Sequence, residues 1–320
     1  MSIRLKLPKL STRRLHSSTV SPLNIEVLDK WIETEKSLLL YDILAPNHLA
    51  DLYVTLPTRD GTKGEPFPHP SSGVKLGYGH HLVFFHPRNS ESVLRSDGTD
   101  ADFCPPEPFT RRMWAGGSMK WSVPLVIGDD VKSVATVSSV EKKGFDKGTP
   151  MVFVNQTIEY TKIGNTVAHI LEERSHVYLP PGHNKREVRE AVKGIRSASD
   201  FSFKYTPSAT TLFRFSALTF NGHHIHLDKD YAQQVEGYPE RLVHGPLTAL
   251  MLLETVKFHH RSATFKFFEY RARNPIIVNH PVTIHGKWVD ETSVELWTLD
   301  EDGVVGMTGC VTLLQPNRQQ

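Results

Sequence analysis

The densest group of polar side chains in the sequence lies between residues 216 and 246. Its members suited to acid–base chemistry or to carbonyl binding are Asn221, His223, His224, His226, His244 and Gly245. Imidazole has an ordinary pKa near neutrality, so it can remove a proton and return it at physiological pH. The pair Gly245-Pro246 predicts a helix start, where free backbone amides can polarise a carbonyl oxygen. The residue types therefore predict proton transfer beside a polarised carbonyl.

A metal site is the competing interpretation of so many histidines. On an extended segment only His224 and His226 would share a face, and no cysteine or acidic residue stands at a familiar ligand spacing. Cys104 and Cys310 lie far apart without a CxxC pair, and the sequence has no GxSxG string. We therefore expect neither a metal nor a cofactor. We also expect the reaction to be addition or elimination of water rather than covalent catalysis, because no nucleophile is recognisable.

Two strings in the sequence resemble a known family. Residues 216–223, SALTFNGH, with His226 and the pair His244-Gly245, resemble the hydratase-2 motif of MaoC-like (R)-specific hydratases and dehydratases. Residues 111–117, RRMWAGG, resemble a stretch shared by fungal mitochondrial 3-hydroxyacyl-thioester dehydratases and bacterial mesaconyl-CoA hydratases. The resemblance implies an α+β double hot-dog fold, in which each half is a central helix wrapped by a curved antiparallel β-sheet.

The resemblance also implies roles for individual residues. His226 matches the catalytic histidine of the motif, and Gly245 begins the helix whose amide holds the thioester carbonyl. Asn221 stands where the MaoC-type motif usually has aspartate, as it does in the similar mesaconyl-CoA hydratases. An amide cannot act as a base, so we expect Asn221 to hold the substrate hydroxyl or water while His226 moves the proton. Supporting positions around the site are expected for His223, His224 and His244.

Four arginines are candidates for contacts with the phosphates of phosphopantetheine or CoA, because guanidinium groups match phosphate geometry. These arginines are Arg111, Arg112, Arg271 and Arg273. The alternative for the first two is a surface ion pair beside Trp114. Asp228 is expected to form a cap or loop hydrogen bond rather than to act in catalysis.

The hydrophobic pattern predicts the elements that position these residues. An amphipathic helix is predicted over 27–39, ending before Pro46, and long loops over 57–110 with a short element at 82–85. A Gly- and His-rich loop precedes an apolar helix that begins at Gly245. Strands are predicted near residues 131–140, 151–160, 167–178, 263–273, 281–288, 294–299 and 304–313. One buried helix followed by several strands is an α+β order rather than a βαβ alternation.

The chain is predicted to have four segments. These are a mitochondrial transit peptide at 1–22, a degenerate, substrate-accommodating hot-dog at 23–184, a linker at 185–200 and a hot-dog with the catalytic motif at 201–316. A short internal sequence repeat suggests that the two halves arose by duplication. PLVI at 124–127 precedes Val131, and PIIV at 275–278 precedes Val282 with the same spacing.

Charge and hydropathy limit the possible partners and location. The formal net charge is only +2, which gives no support for a nucleic-acid-binding surface. The apolar stretch 247–253 falls well short of the roughly 20 residues that cross a bilayer, so no membrane span is expected. The first acidic residue is Glu26, and the basic, Ser-rich start before it predicts import into the mitochondrial matrix. Two hot-dogs in one chain allow a monomer as well as a homodimer.

Three functional hypotheses follow. The resemblance and the basic start favour reversible syn dehydration of (3R)-3-hydroxyacyl thioesters, carried on acyl carrier protein or CoA, in mitochondrial type II fatty acid synthesis. Asn221 motivates a second hypothesis, a hydratase of short dicarboxylic enoyl-CoA esters of the mesaconyl or itaconyl type, which would need a cation near the acyl end. The missing aspartate motivates a third, a non-catalytic acyl-thioester-binding protein.

Overall fold

A computed structural model of the chain describes residues 23–182 and 198–315. The predicted transit peptide at 1–22 and most of the predicted linker at 185–200 lie outside the described residues. No helix among the described residues is both long and apolar enough to span a membrane.

The described strands form one antiparallel sheet. They are β1 Ser37–Ile43, β2 Arg111–Trp121, β3 Asp130–Lys143, β4 Met151–Lys162, β5 Ile170–Leu179, β6 Phe201–Tyr205, β7 Phe265–Ala272, β8 Val282–Trp288, β9 Ser293–Asp300 and β10 Val305–Leu313. Their order across the sheet is β1-β3-β4-β5-β2-β7-β10-β9-β8-β6. From the outer edge of the sheet to its centre, the first half has the order β1-β3-β4-β5-β2 and the second half has the equivalent order β6-β8-β9-β10-β7. The two halves meet where β2 pairs with β7.

This topology confirms the expected α+β double hot-dog. The repeated PLVI and PIIV strings occupy matching places in the two halves. PLVI precedes β3 and PIIV precedes its equivalent, β8, and each string contains a residue that forms an isolated β-bridge. Val126 bridges to Lys75, and Ile277 bridges to Leu242. The short sequence repeat therefore corresponds to a repeated structural step.

The helices differ strongly between the halves. They are α1 Ile25–Glu33, α2 Pro46–Tyr53, α3 Ala209–Leu218, α4 His224–Leu227 and α5 Gly245–His259, with a 3₁₀ turn at His80–Val83. The apolar helix predicted to begin at Gly245 is α5; all residues from Leu247 to Val256 are buried, and it packs against β2, β6, β8 and β10. Among the described residues of the first half, α1 and α2 have only nine and eight residues, against fifteen in α5.

The 3₁₀ turn ties the two halves together through consecutive histidines. His80 bonds to Glu254 of α5 at 2.9 Å, whereas His81 bonds to Glu172 of β5 at 3.2 Å. All four side chains are essentially inaccessible to solvent. Since burying a carboxylate is costly without partners, each glutamate also binds an arginine, Arg59 for Glu254 and Arg174 for Glu172.

Three sequence predictions were wrong in detail. The helix predicted over 27–39 ends at Glu33, and residues 37–43 form strand β1, because the leucines there alternate between partly buried and exposed positions against β3. The glycine- and arginine-rich β2 was not predicted as a strand. The segment assigned to a loop before α5 contains α3, which Ser208 caps by accepting a hydrogen bond from the Thr211 amide at 3.1 Å.

Candidate active site

The loop that carries the histidines is held by its own backbone. After α3, the amide of Asn221 donates to the carbonyl of Ser216 at 2.8 Å, and the side-chain oxygen of Asn221 accepts from the amide of His223 at 3.0 Å. The chain then forms the short helix α4 rather than an extended segment, so the expectation that His224 and His226 share a face was wrong. As a result His223 and His226, three positions apart, contact each other, with ring centroids separated by 5.3 Å.

The ring of His226 is oriented by a backbone carbonyl. Its Nδ1 lies 2.8 Å from the carbonyl oxygen of Leu242. A carbonyl only accepts hydrogen bonds, so Nδ1 carries the proton and the Nε2 lone pair is available as a base. Burial, opposed by this hydrogen bond and aided by the charge of Arg112, lowers the pKa of His226 to about 4. His226 is therefore a neutral, half-buried imidazole at physiological pH.

His244 lies flat against His226, with ring centroids 3.6 Å apart. It is fully buried, and its Nε2 lies 2.9 Å from the Ser216 hydroxyl while no described residue bonds its Nδ1. Burial and the neighbouring histidines hold the pKa of His244 well below its ordinary value. The stack fixes the plane of the His226 ring. It also brings this ring close to Gly245, because His244 directly precedes Gly245 in the sequence.

Gly245 begins α5 directly after this stack. A Cβ atom at position 245 would come within 2.8 Å of the Cβ and Cγ atoms of Trp114 on β2, so a side chain is excluded there. No described residue accepts a hydrogen bond from the Gly245 amide. This amide and the helix dipole together form a donor site for a carbonyl oxygen.

The other sequence-predicted histidines have different surroundings. His223 is buried and lies 3.8 Å from a carboxylate oxygen of Asp97, and burial, followed by the proximity of His226 and the charge of Arg112, lowers its pKa well below the ordinary value. His224 turns away and packs on Tyr231, with ring centroids 5.4 Å apart. The structure therefore brings together three of the histidines and leaves His224 outside the cluster.

The four candidate arginines do not form one group. Arg111 is bound to Glu236 at 2.6 Å, whereas Arg112 stands opposite Tyr178 of β5 and acts electrostatically on the histidine cluster. Arg271 is exposed on β7, and Arg273 donates to the Thr308 hydroxyl at 3.3 Å. Contacts of these arginines with a phosphate stay a prediction. The loop hydrogen bond expected of Asp228 is confirmed, since its carboxylate accepts from the Tyr231 amide at 3.0 Å.

Several neighbours of the cluster were not identified from the sequence. Asp97 approaches from the long loop of the first half, and Ser216 and Trp114 belong to the quoted strings without an assigned role there. Only the string RRMWAGG gave any sign that β2 would reach the site. Within residues 23–182 and 198–315, no group of three or more His, Cys, Asp or Glu side chains is arranged to hold a metal ion.

The depressed histidine pKa values predict an acid-sensitive fold. His176, His223, His226 and His244 are neutral in the folded protein, whereas in the unfolded chain their pKa is about 6.5. As the pH falls below about 6.5, the unfolded state binds protons that the folded state does not, so stability decreases by up to about 1.4 kcal/mol per pH unit and histidine. Urea unfolding at pH 7.5 and 5.5 measures this loss. Equal stability at both values, or a slope unchanged by His223→Gln, would contradict it.

The chain is similar to proteins of one family along most of its length. A family model described as hydroxyacyl-thioester dehydratase type 2 matches residues 79–278. Mesaconyl-C(4)-CoA hydratase of Chloroflexus aurantiacus is 34% identical over 73% of this chain and 82% of its own length. The mitochondrial hydroxyacyl-thioester dehydratase type 2 of Schizosaccharomyces pombe is 30% identical over 70% of this chain and 83% of its own length.

Solved structures with the same fold have low sequence identity to the chain. A MaoC-like dehydratase from Phytophthora capsici superposes with a TM-score of 0.64 at 14% identity, covering 92% of this chain and 99% of that one. HtdX of Mycobacterium tuberculosis superposes with a TM-score of 0.62 at 13% identity, covering 87% and 100% of the respective chains. At such identities these structures support the fold alone.

Proposed function

This chain belongs to the hydroxyacyl-thioester dehydratase type 2 family, and we propose that it catalyses the reversible dehydration of (3R)-3-hydroxyacyl thioesters to trans-2-enoyl thioesters. It is a hydro-lyase. The observation that carries the proposal is the placement of a neutral imidazole, His226, next to the unbonded amide of Gly245 at the start of the buried helix.

The arrangement supplies each proton transfer of the reaction. The Gly245 amide donates to the thioester carbonyl oxygen and so acidifies the C2 proton, which Nε2 of His226 removes. The electrons of the C2–H bond form the C2=C3 double bond, and the C3–O bond breaks. The imidazolium returns its proton to the departing hydroxyl, which leaves as water. Because one imidazole serves both carbons, the hydrogen and the hydroxyl leave from the same face.

Asn221 orients the hydroxyl in this proposal. Its side-chain oxygen is held by the His223 amide, and its NH₂ group has no partner among the described residues. That NH₂ group can donate to the C3 hydroxyl or to the attacking water, but it cannot exchange a proton with either. The basicity therefore resides in His226, and Asn221 positions the oxygen.

Mitochondrial fatty acid synthesis is the proposed setting, in the matrix and with acyl carrier protein as the carrier. Two relatives, from Schizosaccharomyces pombe and Saccharomyces cerevisiae, are named as mitochondrial. The basic, acid-poor sequence at the start of this chain supports the same location. Cleavage of residues 1–22 on import is part of the proposal.

Hydration of a short dicarboxylic enoyl-CoA is the second candidate. The similarity to mesaconyl-C(4)-CoA hydratase and the asparagine at position 221 favour it. A substrate of this kind carries a free carboxylate, so it would need a cation beside the acyl group.

A substrate comparison with the purified chain distinguishes these candidates. Crotonyl and longer 2-enoyl thioesters, each on CoA and on acyl carrier protein, are compared with mesaconyl-C4-CoA by the loss of enoyl absorbance. We expect kcat/KM for the linear enoyl thioesters to exceed that for the mesaconyl ester by about tenfold or more, with (3R) products. A clear preference for the mesaconyl ester would contradict the fatty-acid assignment, and binding without turnover would contradict the enzyme assignment.

A further inference from the structure

Arg112 faces the candidate active site from the other half of the protein. On β2 it lies two residues from Trp114, so both side chains point to the same face of the strand. Trp114 packs against Gly245 at the start of α5. In the paired strand β5, Tyr178 stands opposite Arg112 and His176 stands opposite Trp114. The guanidinium therefore extends towards the histidine cluster rather than towards the outer surface.

Arg112 differs from its neighbouring arginines in its partners. Arg111 pairs with Glu236 at 2.6 Å, Arg174 binds Glu172, and Arg95 lies 3.7 Å from Asp97. Arg112 stands opposite Tyr178 of β5, and no carboxylate of the described residues lies within ion-pair distance of it, so the charge of Asp97 acts on Arg112 only from farther away.

The pocket consequently has one more positive charge than it has carboxylates, because its buried carboxylate, Asp97, lies within ion-pair distance of Arg95 and not of Arg112. Its three histidines are neutral, and residue 221 is an amide rather than a carboxylate. A guanidinium stays charged at any relevant pH, and an interior cation without a counter-ion attracts whatever negative charge enters its surroundings. The substrate develops such a charge during the reaction, because removal of the C2 proton moves electron density onto the thioester oxygen.

We propose that Arg112 is a catalytic residue that stabilises the negative charge of the enolate-like transition state, together with the amide of Gly245. This inference rests on the proposed function. The two donors come from opposite halves of the molecule, with Arg112 on β2 of the first and Gly245 on α5 of the second. The degenerate first half then contributes a charged group to the chemistry as well as space for the substrate.

Substitution of Arg112 tests the inference by steady-state kinetics with crotonyl-CoA and mesaconyl-C4-CoA. We expect Arg112→Gln to lower kcat about a hundredfold for both esters with a smaller change in KM, and Arg112→Lys to recover part of the loss. Lys120→Gln, which removes an exposed charge from the same strand, is the matched control with unchanged kinetics. A folded Arg112→Gln protein with wild-type kcat would overturn the inference. So would an effect confined to the KM of mesaconyl-C4-CoA, which would make Arg112 a binding site for the substrate carboxylate.

A binding measurement separates this inference from the proposed turnover. Acetoacetyl-CoA has an acidic C2 position, and its enolate absorbs in the near ultraviolet. We expect the wild-type protein to bind it with a larger enolate fraction than in free solution at the same pH, and Arg112→Gln to abolish that increase. A wild-type protein that binds acetoacetyl-CoA without raising the enolate fraction would overturn the role of Arg112, whichever thioesters the enzyme turns over. If the wild-type protein raises the enolate fraction but turns over none of the thioesters, the proposed function is contradicted and the role of Arg112 is not.

Discussion

Replacing His226 by glutamine is expected to lower kcat for 2-enoyl thioester hydration by about a thousandfold. Glutamine can still donate to the Leu242 carbonyl and can fill most of the ring volume, but it has no lone pair that accepts a proton. The fold should persist, because the stacked partner His244 is held independently by Ser216. Turnover and thermal unfolding of the same preparation measure both effects.

The control for this substitution is His280→Ala. His280 is exposed and pairs with Glu301 on the surface, so its removal should change neither turnover nor stability appreciably. A folded His226→Gln protein with near-normal turnover would remove the proposed mechanism.

Replacing Glu254 by alanine is expected to destabilise the protein by about 3–5 kcal/mol. Glu254 lies in the middle of α5, where it accepts hydrogen bonds from Thr58, from His80 and, at 2.8 Å, from a terminal nitrogen of Arg59. Arg59 is itself held between the rings of Tyr53 and Phe67. Removing the carboxylate leaves a buried guanidinium without its counter-ion, and that cost dominates the expected effect.

Chemical denaturation measures the loss of unfolding free energy. Glu301→Gln is the matched control, because Glu301 also pairs with a histidine, His280, but on the exposed surface. The control should change the free energy of unfolding by less than about 1 kcal/mol. A loss below 1 kcal/mol for Glu254→Ala would mean that Arg59 finds water or another acceptor when the carboxylate is removed.

The sequence was informative wherever one physical requirement dominated the choice of residues. Strands β3–β5 and β7–β10 alternate or concentrate apolar residues, and helix α5 has apolar residues on every face because all residues from Leu247 to Val256 are buried. Strand β2 was not predicted because Gly116 and Gly117 have low strand propensity. Glycine is required at both positions because neighbouring strands lie too close for a side chain. A Cβ at either position would approach a backbone oxygen to 2.5 Å or less. Strand β1 was mistaken for helix because a run of leucines satisfies both periodicities.

The candidate site could be predicted in part. His226 and Gly245 were proposed because residues 216–245 resemble a family motif, and the stack of His226 on His244 brings them close together in the structure. The contacts of Asp97 with His223 and of Trp114 with Gly245 join residues from different halves of the chain. Such contacts depend on how the two halves of the sheet join through β2 and β7, and no local sequence pattern encodes that joining.

The pairing of β2 with β7 has a consequence for biosynthesis. Its two strands belong to different halves of the chain and are separated by more than 140 residues, and Gly116 pairs with Arg271. While the ribosome extends the chain, β2 can already join β5, but its other edge keeps free N–H and C=O groups until residues 265–272 have emerged. An unprotected strand edge is a template for association with other nascent chains. A polypeptide terminated before β7 would therefore aggregate through β2, and a chaperone that shields this edge would aid the protein most late in translation.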